Sequence, residues 1–304
     1  MTAVRISKTP KRDFLTVADL PADELIAVLD HATAMKNQRA TGGRRKSLDG
    51  RSVALVFEKA STRTRLSFEV GVYELGGHPL VISSRDTQIG RGEPLEDTAR
   101  ILSGYVHGIV IRTFGHDRVQ TLARHASVPV INALTDQHHP CQILADLLTV
   151  RERLGTLEGL RYAWVGDGNN VARSWADAAA VLGLQLTLAS PEGYELPAQE
   201  LRGDVRTVRT PGEAVRGADV VITDVWASMG QEEETERRKK AFAGYRVDRA
   251  LMAHANSSAI VLHCLPAHRG EEIDAEYLDG PQAVVWQEAE NRLHTQKALL
   301  EHLL

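Results

Sequence analysis

Three hydroxyls and two guanidinium groups occupy five consecutive positions, Ser61-Thr62-Arg63-Thr64-Arg65, shortly after the apolar run Val53-Ala54-Leu55-Val56-Phe57. A strand-to-helix junction already offers free backbone N–H groups and the positive end of a helix dipole, so donors and fixed cations there suit a phosphate or a carboxylate. Two arginines in a first turn oppose the dipole, and a bound anion would resolve that conflict. Ser and Thr are also favoured helix caps. The run alone therefore specifies the charge of a ligand and nothing more.

Five further clusters of chemistry-bearing residues follow apolar runs in the same way. Arg112 closes one. Asp136 to Gln142 follow another and include His139-Pro140-Cys141-Gln142, an imidazole set ahead of a proline-initiated helix. Gly166-Asp167-Gly168-Asn169-Asn170 follows a third, Asp224 to Gly230 a fourth, and His263-Cys264-Leu265-Pro266 the last. Neither His138-His139 nor His263 to His268 has the spacing of a zinc site, so no metal is expected. Gly166-x-Gly168 resembles the start of a dinucleotide fingerprint, with Val171 at the third glycine position and Glu192 as the acidic residue beyond. A nicotinamide dehydrogenase thus stands as a rival from another class, and a non-catalytic anion-binding protein as a second.

The elements that must position these clusters alternate. Helical spacing appears between residues 14 and 41, a strand begins near Ser52, and a helix is expected over Leu66 to Leu75. A strand at Pro79 to Ser83, a polar loop from Ser83 to Glu93, and a helix from Leu95 to Ser103 follow. Next come strand Gly108 to Arg112, helix Asp117 to His125 and strand Pro129 to Asn132. Pro140 to Leu154 reads as a connecting helix. The alternation then restarts with strands at Arg161–Val165, Gln185–Ala189, Asp219–Thr223 and Ala259–Leu262, and helices at Val171–Leu182 and Pro211–Val215. The i,i+4 charges Glu233/Arg237, Glu234/Arg238 and Glu236/Lys240 read as a solvated helix. Short apolar strands separated by helices imply two doubly wound α/β domains with parallel sheets, which bind ligands at the carboxyl ends of their strands. The divisions expected are 1–138, an interdomain helix 139–154, 155–288, and a C-terminal helix 289–304 returning to the first domain.

Composition limits the partners. The chain of 304 residues carries a net charge of -4, which argues against nucleic acid or a membrane surface as a partner. The first residues lack the apolar core of a signal peptide, and no apolar run is long enough to span a bilayer. Two cysteines, Cys141 and Cys264, do not make a disulfide framework. A cytoplasmic protein is expected.

Taken together, the six clusters resemble the aspartate/ornithine carbamoyltransferase family, and the similarity runs from about Phe14 to the C-terminus, including the segment Glu288 to Lys297. The first motif and His139-Pro140-x-Gln142 are shared across the family. Asp224, Ser228-Met229-Gly230 and His263-Cys264-Leu265-Pro266 resemble its ornithine branch. The resemblance implies transfer of a carbamoyl group from carbamoyl phosphate to the side-chain amine of L-ornithine, with no cofactor. It implies that Ser61, Thr62, Arg63, Thr64 and Arg112 hold the phosphate, and that Thr64, Arg112 and His139 donate to the carbamoyl oxygen. Gln142, the backbone of Cys264 and Leu265, and Arg292 would surround the carbamoyl group. Gln88 would come from a neighbouring subunit of a homotrimer. Asn170, Asp224, Ser228 and Met229 would hold ornithine, and Cys264 would accept the proton. Putrescine, N-acetylornithine and aspartate are the alternative acceptors, and Ser228-Met229-Gly230 argues against all three; Arg173 falls near the expected amine site.

Overall fold

The computed structural model describes residues 11–43, 45–83, 88, 92–227 and 234–304. It forms two parallel sheets. The first half runs α1 (Ala22–Ala40), β1 (Ser52–Phe57), α2 (Thr62–Glu74), β2 (His78–Ser83), α3 (Leu95–Tyr105), β3 (Gly108–Arg112), α4 (His116–His125) and β4 (Val130–Leu134). Its strand order is β2-β1-β3-β4, so the chain changes direction between β1 and β3. α5 (Pro140–Leu154) then leads into β5 (Arg161–Val165), α6 (Asn170–Leu182), β6 (Gln185–Ala189), β7 (Val205–Val208), α7 (Pro211–Val215), β8 (Val220–Thr223), α8 (Thr235–Ala241), α9 (Arg249–Met252), β9 (Ile260–His263), α10 (Ala275–Leu278) and α11 (Val285–Leu303). The second sheet has the order β7-β6-β5-β8-β9, with its own reversal between β5 and β8.

The strands are short, apolar and covered on both faces, as parallel sheets require. β3 is buried along its whole length, and so are Val53 to Val56 of β1. Two long helices tie the halves together. α5 begins with Pro140 at its first position, where a missing N–H costs nothing, and stops at Gly155 in the left-handed conformation (φ 80°). Every residue from Pro140 to Val150 is buried, a pattern for a helix enclosed on all sides. α11 packs against α5 and against α1 and α2 of the first half.

The structure adjusts several expectations. α2 starts at Thr62, four residues before Leu66, so the Ser-Thr-Arg-Thr-Arg run is the N-cap and first turn of the helix itself. The returning helix starts at Val285 rather than 289. β7 was not anticipated: its four residues, Val-Arg-Thr-Val, are only half-buried and give a weak apolar signal on a sheet edge. Most of the expected 83–93 loop lies outside the described residues.

The charge run is the clearest correction. Arg238 is buried, not solvated. It donates to Asp167 Oδ2 at 2.7 Å, to the Trp226 carbonyl at 2.8 Å and to Glu234 Oε2 at 3.2 Å, and its guanidinium lies 5.0 Å from the Tyr194 ring centroid. Helical spacing alone gives Arg238 the same i−4 partner as its neighbours, so the sequence could not reveal which arginine turns inward.

Removing one partner of a buried pair leaves an uncompensated charge. Arg238→Ala is therefore expected to cost about 3–5 kcal/mol of stability by urea unfolding, and Asp167→Ala should cost less on the Arg238→Ala background than alone. Additive losses would show that the two side chains do not act as a pair.

Candidate active site

The two reversal points place the ends of β1, β3, β5 and β8 toward one cleft, with β4 and β9 adding residues from either side. This is where an open parallel sheet binds ligands. Ser61 follows β1 and caps α2, accepting the Thr64 N–H at 3.3 Å. Thr62 and Arg63 are exposed, whereas Thr64 is buried. Arg65 turns to Glu69 on the outer face of α2 at 3.3 Å, one i,i+4 step away, and so leaves the cleft.

Arg292, from α11, connects this turn to α5. Its Nη2 donates to Thr64 Oγ1 at 3.0 Å and its Nη1 to Gln142 Oε1 at 2.9 Å. Arg112 ends β3 and is buried. Burial and the nearby Arg292 cation lower its pKa to about 10, which still leaves it charged at neutral pH. His139 is the N-cap residue of α5, and its backbone N–H is held by Ser174 Oγ at 2.8 Å. Burial, then Arg292, Arg112 and Arg63, push its pKa well below the ordinary value, so the imidazole is neutral. The cleft floor thus holds permanent cations and a neutral ring.

The second wall comes from β8 and β9. Cys264 donates its thiol hydrogen to Asp224 Oδ1 at 3.2 Å, and Asn169 Nδ2 donates to Asp224 Oδ2 at 2.7 Å. Burial and the Asp224 carboxylate raise the thiol's pKa, so in the ligand-free site the neutral form is favoured. Leu265 adopts φ 57°, uncommon for a branched side chain. Its N–H donates to His263 Nδ1 at 2.9 Å and its carbonyl accepts from Arg63 Nη2 at 2.5 Å, so the two walls touch here.

Asp224, His263 and Cys264 bring ligand atoms within 4.8 Å of one another. They do not fit a metal. His263 Nδ1 accepts from Leu265 and Nε2 bonds Glu272 Oε1 at 3.0 Å, which uses both ring nitrogens. The dinucleotide reading also meets an obstacle. A Cβ at Gly168 would lie 2.6 Å from Leu196 N and 2.8 Å from Tyr194 O, so the glycine admits the chain's own 194–196 backbone. A fingerprint glycine serves instead to let a pyrophosphate approach.

Of the residues expected at the site, Thr64, Arg63, Gln142, Leu265 and Arg292 are linked by hydrogen bonds, with Ser61 capping the same turn, and Cys264 is linked to Asp224. Asn170 Nδ2 donates to the Thr135 carbonyl at 2.8 Å. Gln88 is exposed. Ser228 and Met229 lie outside the described residues. Arg173 is tied to Glu200 at 2.5 Å and to the Gln137 carbonyl at 3.2 Å. Sequence reasoning passed over Asn169, whose role as cap of α6 and holder of Asp224 was hidden beside Asn170, and it also missed the buried acids Asp146 and Glu288. A lone acid within the apolar run Ile143 to Leu148, four residues after Gln142, was the available signal for Asp146.

Residues 12–152 match the family described as "Aspartate/ornithine carbamoyltransferase, carbamoyl-P binding domain", and residues 158–303 match "Aspartate/ornithine carbamoyltransferase, Asp/Orn binding domain". The chain is 58% identical over 304 residues to the ornithine carbamoyltransferase of Acidothermus cellulolyticus, covering 96% of each protein. It is 53% identical over 300 residues to that of Geobacter metallireducens, covering 96% of this chain and 99% of the relative. Among solved structures, the Pyrococcus furiosus ornithine carbamoyltransferase superposes with a TM-score of 0.93 at 45% identity over 97% of both chains. A mutant N-acetyl-L-ornithine transcarbamylase complexed with PALAO gives 0.85 at 31% identity, over 96% of this chain and 99% of the other.

The neutral His139 has a consequence for stability. In the unfolded chain an imidazole takes a proton near pH 6.5, whereas in the fold it does not. Below that pH the unfolded state binds more protons, so stability falls on acidification and levels off above it. His116 and His294, lowered to about 4 mainly by burial, add to the same slope. His139→Gln should narrow the stability difference between pH of about 5.5 and about 7.5 in urea titrations. An undiminished difference would show that His139 is not held neutral.

Proposed function

The chain belongs to the aspartate/ornithine carbamoyltransferase family, and we propose that it transfers the carbamoyl group of carbamoyl phosphate to the side-chain amine of L-ornithine, giving L-citrulline and phosphate. The observation that carries this reading is the meeting of an anion site with a thiol–carboxylate couple: Arg63 reaches the Leu265 carbonyl, next to Cys264 and Asp224.

In the proposed mechanism the phosphate sits on Ser61, Thr62, Arg63, Thr64 and Arg112. Thr64, Arg112 and the neutral His139 donate to the carbamoyl oxygen, where negative charge builds as the amine attacks. Preorganised donors at such a position are worth about 3–4 kcal/mol each. The nitrogen–carbon bond forms, the carbon–oxygen bond to phosphate breaks, and its electron pair leaves with phosphate. An alkyl amine has a pKa near 10.4, so its neutral form costs about 4 kcal/mol at neutral pH. In this scheme the α-ammonium group pairs with Asp224, the Cys264 thiol that Asp224 otherwise holds protonated releases its proton to solvent, and the resulting thiolate takes the proton of the side-chain amine. The α-ammonium group would lie against Asp224 and Asn170, with Ser228 and Met229 completing the acceptor site. We assign residues 1–138 to the carbamoyl phosphate half, 139–154 to the connecting helix, 155–288, with the first turn of α11, to the ornithine half, and 289–304, the rest of α11, to the return toward the first half. Arg173, occupied by Glu200, leaves amine selectivity to the other residues.

A homotrimer is the assembly we propose. Leu66, Val70 and Tyr73 form an exposed apolar stripe on α2, 54%, 37% and 70% accessible. The stripe lines a groove of about 870 Å³ that runs to Ser61 and Thr62. Among the described residues nothing pairs with the edge of β2, while the edge of β4 is covered by the Phe14 segment. A second copy on this face would bring its Gln88 to the phosphate. No helix among the described residues is long and apolar enough to cross a membrane, and the two free cysteines suit a cytoplasmic setting.

Citrulline formation from carbamoyl phosphate and L-ornithine tests the activity, with N-acetylornithine, putrescine and aspartate as acceptors that should give no product. Cys264→Ala should still bind carbamoyl phosphate and lose about 10²–10⁴-fold in kcat; unchanged turnover would remove Cys264 from the mechanism. Tyr73→Asp should shift the sedimentation coefficient toward the monomer and lower activity with it. A monomeric wild type would sink the shared site.

A further inference from the structure

Beneath Gln142 lie two carboxyls, Asp146 of α5 and Glu288 of α11, each only 1% exposed. Gln142 Nε2 donates to Asp146 Oδ1 and to Glu288 Oε1, both at 2.8 Å, so its two amide hydrogens are spent. Trp175 Nε1 donates to Asp146 Oδ2 at 3.1 Å, and the His263 backbone N–H donates to Glu288 Oε2 at 2.9 Å. The two carboxyls thus converge on a single amide nitrogen, out of contact with water. Two carboxylate charges held that close away from water repel each other, which favours a proton on one of them. The nearby cation does not neutralise them directly: Arg292 directs its guanidinium at Gln142 and Thr64.

We propose that Asp146 and Glu288 hold one proton between them at neutral pH, and that this singly protonated pair is a positioning device that fixes the Gln142 carboxamide with its oxygen toward the ligand. The proposal rests on the reading of Gln142 as a wall of the carbamoyl site. With both hydrogens pointing at the acids, Gln142 can only accept. Its oxygen then suits the –NH₂ of a carbamoyl group, and a flipped amide would set N–H against N–H. Acetyl phosphate has a methyl in that place and gains nothing from the oxygen. The acids would thus select between two phosphates of one shape without touching either.

The charge environment agrees. Burial raises the pKa of both carboxyls, and for Glu288 the neighbouring Asp146 raises it further. The groups that face the pair are Gln142 on α5, Trp175 on α6, Arg292 on α11, and the His263 N–H on β9, with Cys141 and Cys264 close to Arg292. Above the carboxyl range of an unfolded chain the fold retains one extra proton, so this pair makes stability fall as pH rises, tenfold in the unfolding constant per pH unit until the proton leaves.

Infrared spectroscopy of the whole enzyme tests the proton directly. Wild type at pH of about 7 should show the C=O stretch of a protonated carboxyl, sensitive to deuterium and lost in Glu288→Gln. Its absence in wild type would overturn the proposal without any variant. Calorimetry with carbamoyl phosphate and acetyl phosphate tests the positioning. Glu288→Gln, which keeps a donor toward Asp146, should hold the preference for carbamoyl phosphate within about threefold, while Glu288→Ala should lose about tenfold or more of it. Equal weakening of both phosphates in Glu288→Ala would mean that the acids only support the packing of α5 on α11. Gln142→Ala separates the two readings: if it keeps the full preference, the assignment of Gln142 to the carbamoyl site fails and the positioning role with it, whatever the infrared band shows.

Discussion

A cleft that buries Arg112 and Arg292 beside Arg63 carries a penalty that a bound anion would offset. Burying like charges together costs far more than exposed ion pairs return, and the lowered pKa values of both buried arginines record that cost. Hydrogen bonds to neighbouring elements make it tolerable at Arg292, which lies between a threonine hydroxyl and a glutamine carbonyl. Neither partner cancels its charge. The unspent field would suit a doubly charged phosphate, and together with burial, the larger cause, it keeps His139 neutral.

The opposite wall is built on the complementary rule. Asp224 is held by Asn169, itself fixed as the cap of α6, so a carboxylate stands at a set distance from Cys264. That arrangement disfavours a thiolate in the empty site. Ornithine bound as proposed would bring positive charge to Asp224 and relieve the same penalty, so the thiol's proton affinity would be conditional on the acceptor being present. Cations on one side and a carboxylate–thiol couple on the other are matched to a reaction between an anion and an amine.

Much of this was legible from residue type at strand ends. Strands Gly108 to Arg112, Arg161 to Val165 and Gln185 to Ala189, and the helix from Pro140 to Leu154, fall where the pattern placed them, because apolar runs bounded by glycine and proline leave few alternatives. What was not legible depends on contacts far apart in the chain. Arg65 and Arg63 look equivalent, yet a helix turns them about 200° apart and only Arg63 reaches the cleft. Glu288 and Asp146 are separated by 142 positions, as 288 − 146 gives, and only the packing of α11 on α5 makes them a pair. Single-sequence periodicity carries no information on such meetings.

The turn after β5 illustrates how a shared architecture is put to a different use. Both halves are doubly wound sheets of the sort that hold dinucleotides, and Gly166-Asp167-Gly168 sits where a pyrophosphate would be bound. Here Gly168 makes room for backbone, and Asp167 is committed to Arg238. Arg238 in turn grips Trp226 on one flank of residues 228–233 and Glu234 on the other. Ser228 and Met229, the residues proposed to read the acceptor, belong to that segment. An acid at the position of a cofactor-binding turn is thereby tied, through Arg238, to Trp226 and Glu234.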